Sequence, residues 1–558
     1  MIDELNDEVA KATIDRPKRW DSAFDPDLEE KDFEAIMARK EITEIDGSFP
    51  SNLPLDGIVR NDMRLTRLER GDIMVREGDY GNSAFILIEG KVHIATNPQI
   101  SAEQLGGSPA KAQSIFTRIQ GLLKKNWIPE VRVIENNKQL GQRAVERPLG
   151  TSIPNIDRVM ETYEMITLGE GEVFGELAAL GRTPRTATIF ASTDVVAIEI
   201  RWQGLRDIMK HDIGWRKRID KNYRETALAN HLSKTEILKD LSKEVAEHVS
   251  HSALFETYGA FDWHHDFKNK KNAAAEAVIA KEGDYPDGLL LIRAGFARLA
   301  KGSDYERRTI SYLGAGDTFG LNELYTAWKN PGAKDFQLSN TLTALGYVDI
   351  IRIPVEVLEE HVFPKMPEPE DLSSALDQRT AADDHLMEWA VDNRFINGSQ
   401  TMVIDLDRCN RCDDCVRACG DTHGGNPRFR REGDPFEKWM VANACMHCKD
   451  PVCMIGCPTG AINRDQYTGS VIINDTTCIG CSTCANSCPF ENINMVSIRN
   501  LEGSIITDGS GKGTPIMKAT KCDLCAGRPG GPACVQACPK DALQRVDFRD
   551  FHAQQAGL

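Results

Sequence analysis

No cysteine occurs in the first 408 of the 558 residues. That absence excludes a disulfide framework and thiol-held metal across the larger part of the chain. No apolar run reaches the roughly 18 residues of a membrane-spanning helix, so no direct membrane span is expected. Positive charge is also short: 67 Lys and Arg against 84 Asp and Glu leave a formal net charge of −17, the wrong sign for a nucleic-acid binder. The N-terminal run MIDELNDEVAKATIDRPKRWDSAFD lacks the order of a secretory signal and has no twin arginine, from which a cytoplasmic location is expected. No dinucleotide fingerprint or flavin motif is visible, so no catalytic residue is assigned.

All sixteen cysteines fall between Cys409 and Cys538, in four tetrads. CNRCDDCVRAC supplies Cys409, Cys412, Cys415 and Cys419, and CIGCSTCANSCP supplies Cys478, Cys481, Cys484 and Cys488. Both follow the C-x2-C-x2-C-x3-C spacing of bacterial ferredoxins, in which a tight loop wraps three iron corners of a [4Fe–4S] cluster. CMHCKDPVCMIGCP lengthens one gap and supplies Cys445, Cys448, Cys453 and Cys457. CDLCAGRPGGPACVQACP lengthens the same gap further and supplies Cys522, Cys525, Cys534 and Cys538. Clusters of mixed type are one alternative; structural zinc is the rival reading of paired C-x-x-C, but it needs neither a third cysteine so close nor the following Pro458, Pro489 and Pro539.

The stretches GDTHGGNPRFRREGDPFEKWMVANACMHCKDPVCMIGCPTGAI, GSVIINDTTCIGCSTCANSCPFENINMV and KATKCDLCAGRPGGPACVQACPKDAL make residues 401–547 resemble the four-cluster electron-transfer subunits of dimethyl sulfoxide, nitrate and formate oxidoreductases. The resemblance implies crossed ligation between outer motifs and between inner motifs. Its outer sets are Cys409, Cys412 and Cys415 with Cys538, and Cys522, Cys525 and Cys534 with Cys419. Its inner sets are Cys445, Cys448 and Cys453 with Cys488, and Cys478, Cys481 and Cys484 with Cys457. The first motif departs from the pattern, ending in Gly420 where the others have proline.

A chain of this length holds three or four domains, since single cores seldom exceed about 250 to 300 residues. Before the cysteines lies an internal repeat. RLERGDIMVREGDYGNSAFILIEGKVHI at 67–94 recurs as AVIAKEGDYPDGLLLIRAGFARL at 277–299, with Glu77, Gly78, Asp79, Tyr80 and Gly90 matching Glu282, Gly283, Asp284, Tyr285 and Gly295 at constant offset. Each copy alternates β-favouring residues about a glycine-rich turn, which predicts two similar β-rich domains.

With Phe174, Gly175, Glu176, Leu177, Ala178, Ala179 and Leu180, followed by Pro184, Arg185, Thr186, Ala187 and Thr188, the first copy resembles the cyclic nucleotide-binding domain, a β jelly roll with a phosphate-binding cassette. The residues suit a cyclic monophosphate such as cAMP or cGMP. Arg185 offers a planar fork to the single phosphate charge, and Glu176 can accept from a ribose hydroxyl. Backbone N–H groups at Gly175, Leu177 and Ala178 add donors, and Thr186 reaches the phosphate or the purine edge. Mutual pairing of Glu176 and Arg185 in an inactive pocket is the alternative. In the second copy Leu338 stands opposite Arg185, and either Leu321 or Glu323 stands opposite Glu176, so that pocket reads as degenerate.

Smaller features complete the reading. An insertion at about 97–162 contains SIFTRIQGLLKKNW, with Ile115, Ile119, Leu122 and Leu123 at helical spacing. Trp215 or Tyr223 is a candidate purine cap, with ordinary packing as the alternative. His264 and His265 read as solvated, and FPKMPEPEDLSS at 363–374 as a linker. The expected architecture is multidomain α+β. It comprises an N-terminal extension (1–55), two jelly-roll domains (56–227 and 228–362), a linker and helix (363–400), and a ferredoxin-type domain with four [4Fe–4S] sites (401–558). The expected function is electron transfer to or from a catalytic oxidoreductase subunit, regulated by cyclic nucleotide. Alternatives are a redox or oxygen sensor, and a first pocket that takes a dinucleotide such as NADPH.

Overall fold

A computed structural model of the chain describes residues 18–95, 151–222, 241–302, 308–330, 336–369, 381–500 and 504–548, short interruptions aside, with residues 13–14 and single positions between 223 and 240. The chain divides into two compact units, one of residues 1–219 and 402–545, the other of residues 220–401 and 546–558. Among the described residues no helix is long and apolar enough to cross a membrane.

The first unit contains a β sandwich. In one sheet Val195–Arg201 lies between Met63–Leu68 and Ser83–Glu89, with Val173–Phe174 at the edge; the other has Thr188–Ala191 between Asp72–Val75 and Val92–Ala95. Ser83–Glu89 is buried at every residue but its last. It therefore reads as a continuous apolar run, as strands covered on both faces do. The N-terminal residues are part of this body: Phe33, Ile36, Ile58 and Val59 share a core with Ile86, Ile198 and Leu205. Trp215 belongs to the same core, and its indole N–H donates to the Glu41 carbonyl at 3.0 Å, so it is a packing residue and no purine cap. Tyr223 and the middle of the insertion lie outside the described residues. The end of the insertion adds a strand, Thr151–Ser152, to Asp72–Val75.

The cysteine-rich part of this unit is built on a four-stranded sheet in the order Phe429–Phe436, Trp439–Ala444, Thr401–Asp405, Leu543–Val546. Two hairpins, Ile462–Arg464 with Val471–Ile473 and Asn494–Ser497 with Met517–Thr520, complete it.

The second unit repeats the sandwich. Val348–Pro354 lies between Leu254–Tyr258 and Gly288–Ala294, with Thr318–Phe319 at the edge, and Val278–Ala280, Thr341–Ala344, Ala297–Lys301 and Arg308–Leu313 form the facing sheet. Two expectations are corrected here. His264 is buried at the start of helix His264–Asn269. Phe363, at the head of the expected linker, is buried against Tyr325 and Trp328.

A buried charge cluster ties helix Ala381–Asp392 to this sandwich. Arg298 donates to Glu276 at 2.9 Å and to Asp392 at 2.7 Å, while Thr343 donates to Glu276 at 2.6 Å. Burial alone would push the Glu276 carboxyl upward, but the charge and hydrogen bonds of Arg298, the Thr343 hydroxyl and the Arg394 charge outweigh it and hold the group at about 2. A carboxyl lowered from 4.5 to about 2 contributes on the order of 3 kcal/mol that is present above pH ~4.5 and lost as pH falls towards 2. Glu276→Gln is expected to destabilise the second unit by about 3 kcal/mol at neutral pH, and to flatten its stability between pH 4.5 and 2; chemical denaturation across that range measures both.

Candidate metal centre and nucleotide pocket

The four cysteine motifs share one layout. Their third cysteines sit in the first turn of a short helix, Asp414–Thr422, Val452–Ile455, Thr483–Ser487 or Ala533–Gln536, and the fourth cysteine lies at or just past its end, except that Cys419 falls inside the longer first helix. Left-handed residues turn the preceding loops, among them Arg411, Asp413, His447, Ser482 and Leu524. Such residues carry a local cost that persists only where the surroundings fix them. The first helix packs on the fourth and the second on the third, so outer motifs meet and inner motifs meet.

The thiols converge accordingly. Cys419, from the first motif, lies within electrostatic reach of Cys522, Cys525 and Cys534. Cys453 and Cys448 have Cys445 and Cys488 as neighbours. Cys484 has Cys457, Cys478 and Cys481, and these four thiols line a single cavity with Ala461 and Ile473. Cys415 neighbours Cys409 and also Cys534. Cys409 and Cys538 both pack against the core that contains Cys415.

Burial dominates the chemistry of these groups. It pushes Cys415 and Cys534 up to about 11 and Cys419 and Cys484 up to about 12, and raises Cys448, Cys453 and Cys525 as well. Four buried thiolates cannot stand together without a cation among them, since metal binding is what drives thiols to ionise. N–H groups are already aimed at sulfur: Arg428 N at Cys419 (3.2 Å), Asn492 N at Cys488 (3.4 Å) and Ala542 N at Cys538 (3.3 Å). Arg545 donates to Cys522 Sγ at 2.9 Å and to the Cys445 carbonyl at 3.1 Å. All-sulfur donor sets with N–H support fit iron–sulfur clusters.

Sequence reasoning missed the cations around these sulfurs. Lys521 is only 3% exposed and donates to the carbonyls of Val471 and Cys522; Lys518, also buried, donates to those of Asp475 and Cys478. Arg464 donates to the carbonyls of Cys448 (2.8 Å) and Lys449 (2.6 Å). Buried ammonium and guanidinium groups are costly in isolation; here the charges of Lys521 and Arg464 act against the burial that raises Cys453 and Cys448. The weak signal was the run KATKC, with two lysines just before a cysteine.

In the first sandwich the chain runs Val173–Phe174, Gly175 at φ 78°, then helix Glu176–Gly181. Glu176 and Ala178 are buried and Thr186 is half-buried; the backbone of Leu177 lies within the same helix. Arg185 is 8% exposed, and its guanidinium donates to the carbonyls of Gly175 (2.5 Å) and Ser83 (2.7 Å). The second sandwich keeps this backbone and changes the side chains. Arg185 N donates to Asp79 O at 2.8 Å and Gly78 N to Arg185 O at 2.8 Å; Leu338 N donates to Asp284 O at 2.8 Å and Gly283 N to Leu338 O at 2.9 Å. Gly320 at φ 89° precedes helix Leu321–Lys329 as Gly175 precedes Glu176, which settles the open alignment in favour of Leu321 opposite Glu176. Glu323 instead accepts from the Ser339 N–H.

Comparison with known proteins agrees with both parts. The family model for the 4Fe-4S dicluster domain matches residues 436–501, which hold the two inner motifs. That for the cyclic nucleotide-binding domain matches residues 159–212 and 270–362. Electron transport protein HydN of Escherichia coli K12 is 35% identical over 170 residues, covering 28% of this chain and 89% of HydN. Formate hydrogenlyase subunit 2 of the same strain is 32% identical over 181 residues, 28% of this chain and 84% of that protein. Among solved structures, the regulatory domain of Toxoplasma gondii PKA with cAMP aligns with 60% of this chain and 93% of its own at 14% identity and a TM-score of 0.21, too low to bear on function.

Proposed function

Because the chain belongs to the family of 4Fe–4S electron-transport proteins that includes HydN, we propose that it relays electrons through four [4Fe–4S] clusters to or from a partner oxidoreductase, under control of a cyclic nucleotide held by the first sandwich. The observation that carries this reading is the convergence of thiols from paired motifs, with Cys419 beside Cys522, Cys525 and Cys534, and Cys488 beside Cys445, Cys448 and Cys453. Bound clusters would supply reversible one-electron storage at each thiol group. The remaining work falls to the chain. Burial excludes water, Lys518, Lys521 and Arg545 offset negative charge, and N–H groups fix the sulfurs. Cys481 is exposed, and Cys409, Cys412, Cys448, Cys453 and Cys538 are half-buried. Electrons therefore enter and leave at the edges of the groups containing these residues.

The ligand sets proposed are those of the crossed scheme, with Cys409, Cys412, Cys415 and Cys538 as the fourth group. Arg185 would exchange the Gly175 and Ser83 carbonyls for a phosphate oxygen pair, and Glu176 would take a ribose hydroxyl. One relative is named as a subunit of formate hydrogenlyase, which suggests a catalytic oxidoreductase subunit of that type as the partner of this chain. An anaerobic affinity pull-down tests the relay. The proposal expects a metal-containing oxidoreductase that reoxidises the dithionite-reduced chain within seconds; a reduced chain that only oxygen reoxidises would favour the sensor alternative.

A further inference from the structure

The loop 79–83 has two faces. On one, Asp79 O accepts from Arg185 N at 2.8 Å and Ser83 O accepts from the Arg185 guanidinium at 2.7 Å. Gly81 lies so close beneath that guanidinium that a Cβ there would fall 2.0 Å from its Nε. On the other face, Tyr80 N donates to Gln466 O at 3.1 Å, Gln466 Nε2 to Asp79 Oδ2 at 2.9 Å, and Asn82 Nδ2 to Arg464 O at 3.2 Å. The Arg464 guanidinium stands 5.0 Å from the centre of the Tyr80 ring. Arg464 is 4% exposed and reaches on to the carbonyls of Cys448, Lys449 and Gly469. The cassette helix makes a second connection: its Ala179, with Trp202, shares an apolar core with Cys457, Cys478 and Cys484.

We infer that Arg464 is a positioning residue that couples the nucleotide pocket to the thiol group Cys445, Cys448, Cys453 and Cys488, so that an anionic ligand at Arg185 and an added electron at that group oppose each other. The inference rests on the reading of the pocket and thiol groups proposed above. A phosphate at Arg185 must draw the guanidinium off the Gly175 and Ser83 carbonyls, and Ser83 ends the loop whose other face holds Arg464. Reduction adds one negative charge beside Cys448, at the far end of the same arginine. The two anions then pull on arginines that grip opposite faces of one loop, in a low dielectric where like charges act strongly. Linkage makes the effect reciprocal: whatever factor reduction takes from nucleotide affinity, the nucleotide takes from the equilibrium constant for reduction.

The test is calorimetry with cAMP and cGMP on the full chain carrying its clusters, once oxidised and once reduced. Dithionite donates one electron to each cluster and is itself oxidised to sulfite, with no bond or proton changing place on the chain. We expect about tenfold weaker binding to the reduced chain, which equals a fall of about 59 mV in the midpoint of the Cys448 group when nucleotide saturates the pocket; paramagnetic resonance reads that midpoint. In Gln466→Ala, iron content and binding to the oxidised chain should persist while the difference between redox states shrinks below about threefold; Arg464→Lys, which gives up carbonyl contacts at the Cys448 group, should shrink that difference likewise, with iron content measured alongside. No binding in either state would overturn the pocket reading and the coupling with it. Equal binding in both states would overturn the coupling alone, and tighter binding to the reduced chain would overturn its sign. A tenfold difference untouched by both variants would remove Arg464 from the path.

Discussion

After anaerobic reconstitution, the double variant Cys448→Ala with Cys488→Ala will hold about twelve irons per chain, as many as either single variant and about four fewer than the parent. Cys448 and Cys488 come from different motifs, forty residues apart, yet Cys488 and Cys445 are both neighbours of Cys448 and of Cys453. Once one of them is gone that cluster has already lost its site, so the second loss costs nothing more, as coupled positions behave. Cys484 and Cys488 share a motif but face different groups. The double variant Cys484→Ala with Cys488→Ala should accordingly drop to about eight irons. Iron analysis with paramagnetic spectra distinguishes the outcomes, and eight irons in the first double variant with twelve in the second would reverse the assignment.

Replacing Arg185 by alanine should weaken cyclic nucleotide binding by about a hundredfold or more, because two charge-assisted hydrogen bonds at about 1.5 to 3 kcal/mol each are removed from a buried site. Arg185→Lys should recover only part of this, since an ammonium cannot reproduce the planar fork that now spans Gly175 and Ser83. Leu338→Ala, at the same backbone position of the second sandwich, should leave affinity within about twofold. Parallel calorimetry with cAMP, cGMP and NADPH checks all three. Binding indifferent to Arg185, or selective for NADPH, would overturn the cyclic-nucleotide reading. A melting curve of Arg185→Ala separates lost affinity from lost packing, because the guanidinium also braces two carbonyls in the ligand-free protein.

Features set by short-range chemistry were readable in the sequence. The spacing of the cysteines marked their motifs, and the recurrence of Glu77 to Tyr80 at Glu282 to Tyr285 marked two sandwiches with matching strand orders. Alignment around the second cassette stayed open on residues alone, because FGLNEL offers two registers; the left-handed Gly320 before the helix decides it. Features assembled from distant parts were not readable. Lys521 serves its own motif through a carbonyl at Val471, fifty residues away, and the Glu276, Arg298 and Asp392 cluster joins three separate segments. The contact of Asn82 with Arg464 spans 382 positions. Charged residues in such places look like ordinary surface in a sequence, since burial is fixed by tertiary packing. His264 and Trp215 illustrate the same limit: a histidine expected at the surface is buried, and a candidate ligand contact is core.

Reductive titration of anaerobically purified chain, with iron and acid-labile sulfide measured on the same sample, tests the relay most directly. The account predicts about sixteen irons, an equal amount of sulfide and uptake of about four electrons per chain. Zinc in place of iron, or fewer than about two electrons taken up by fully loaded protein, would contradict it.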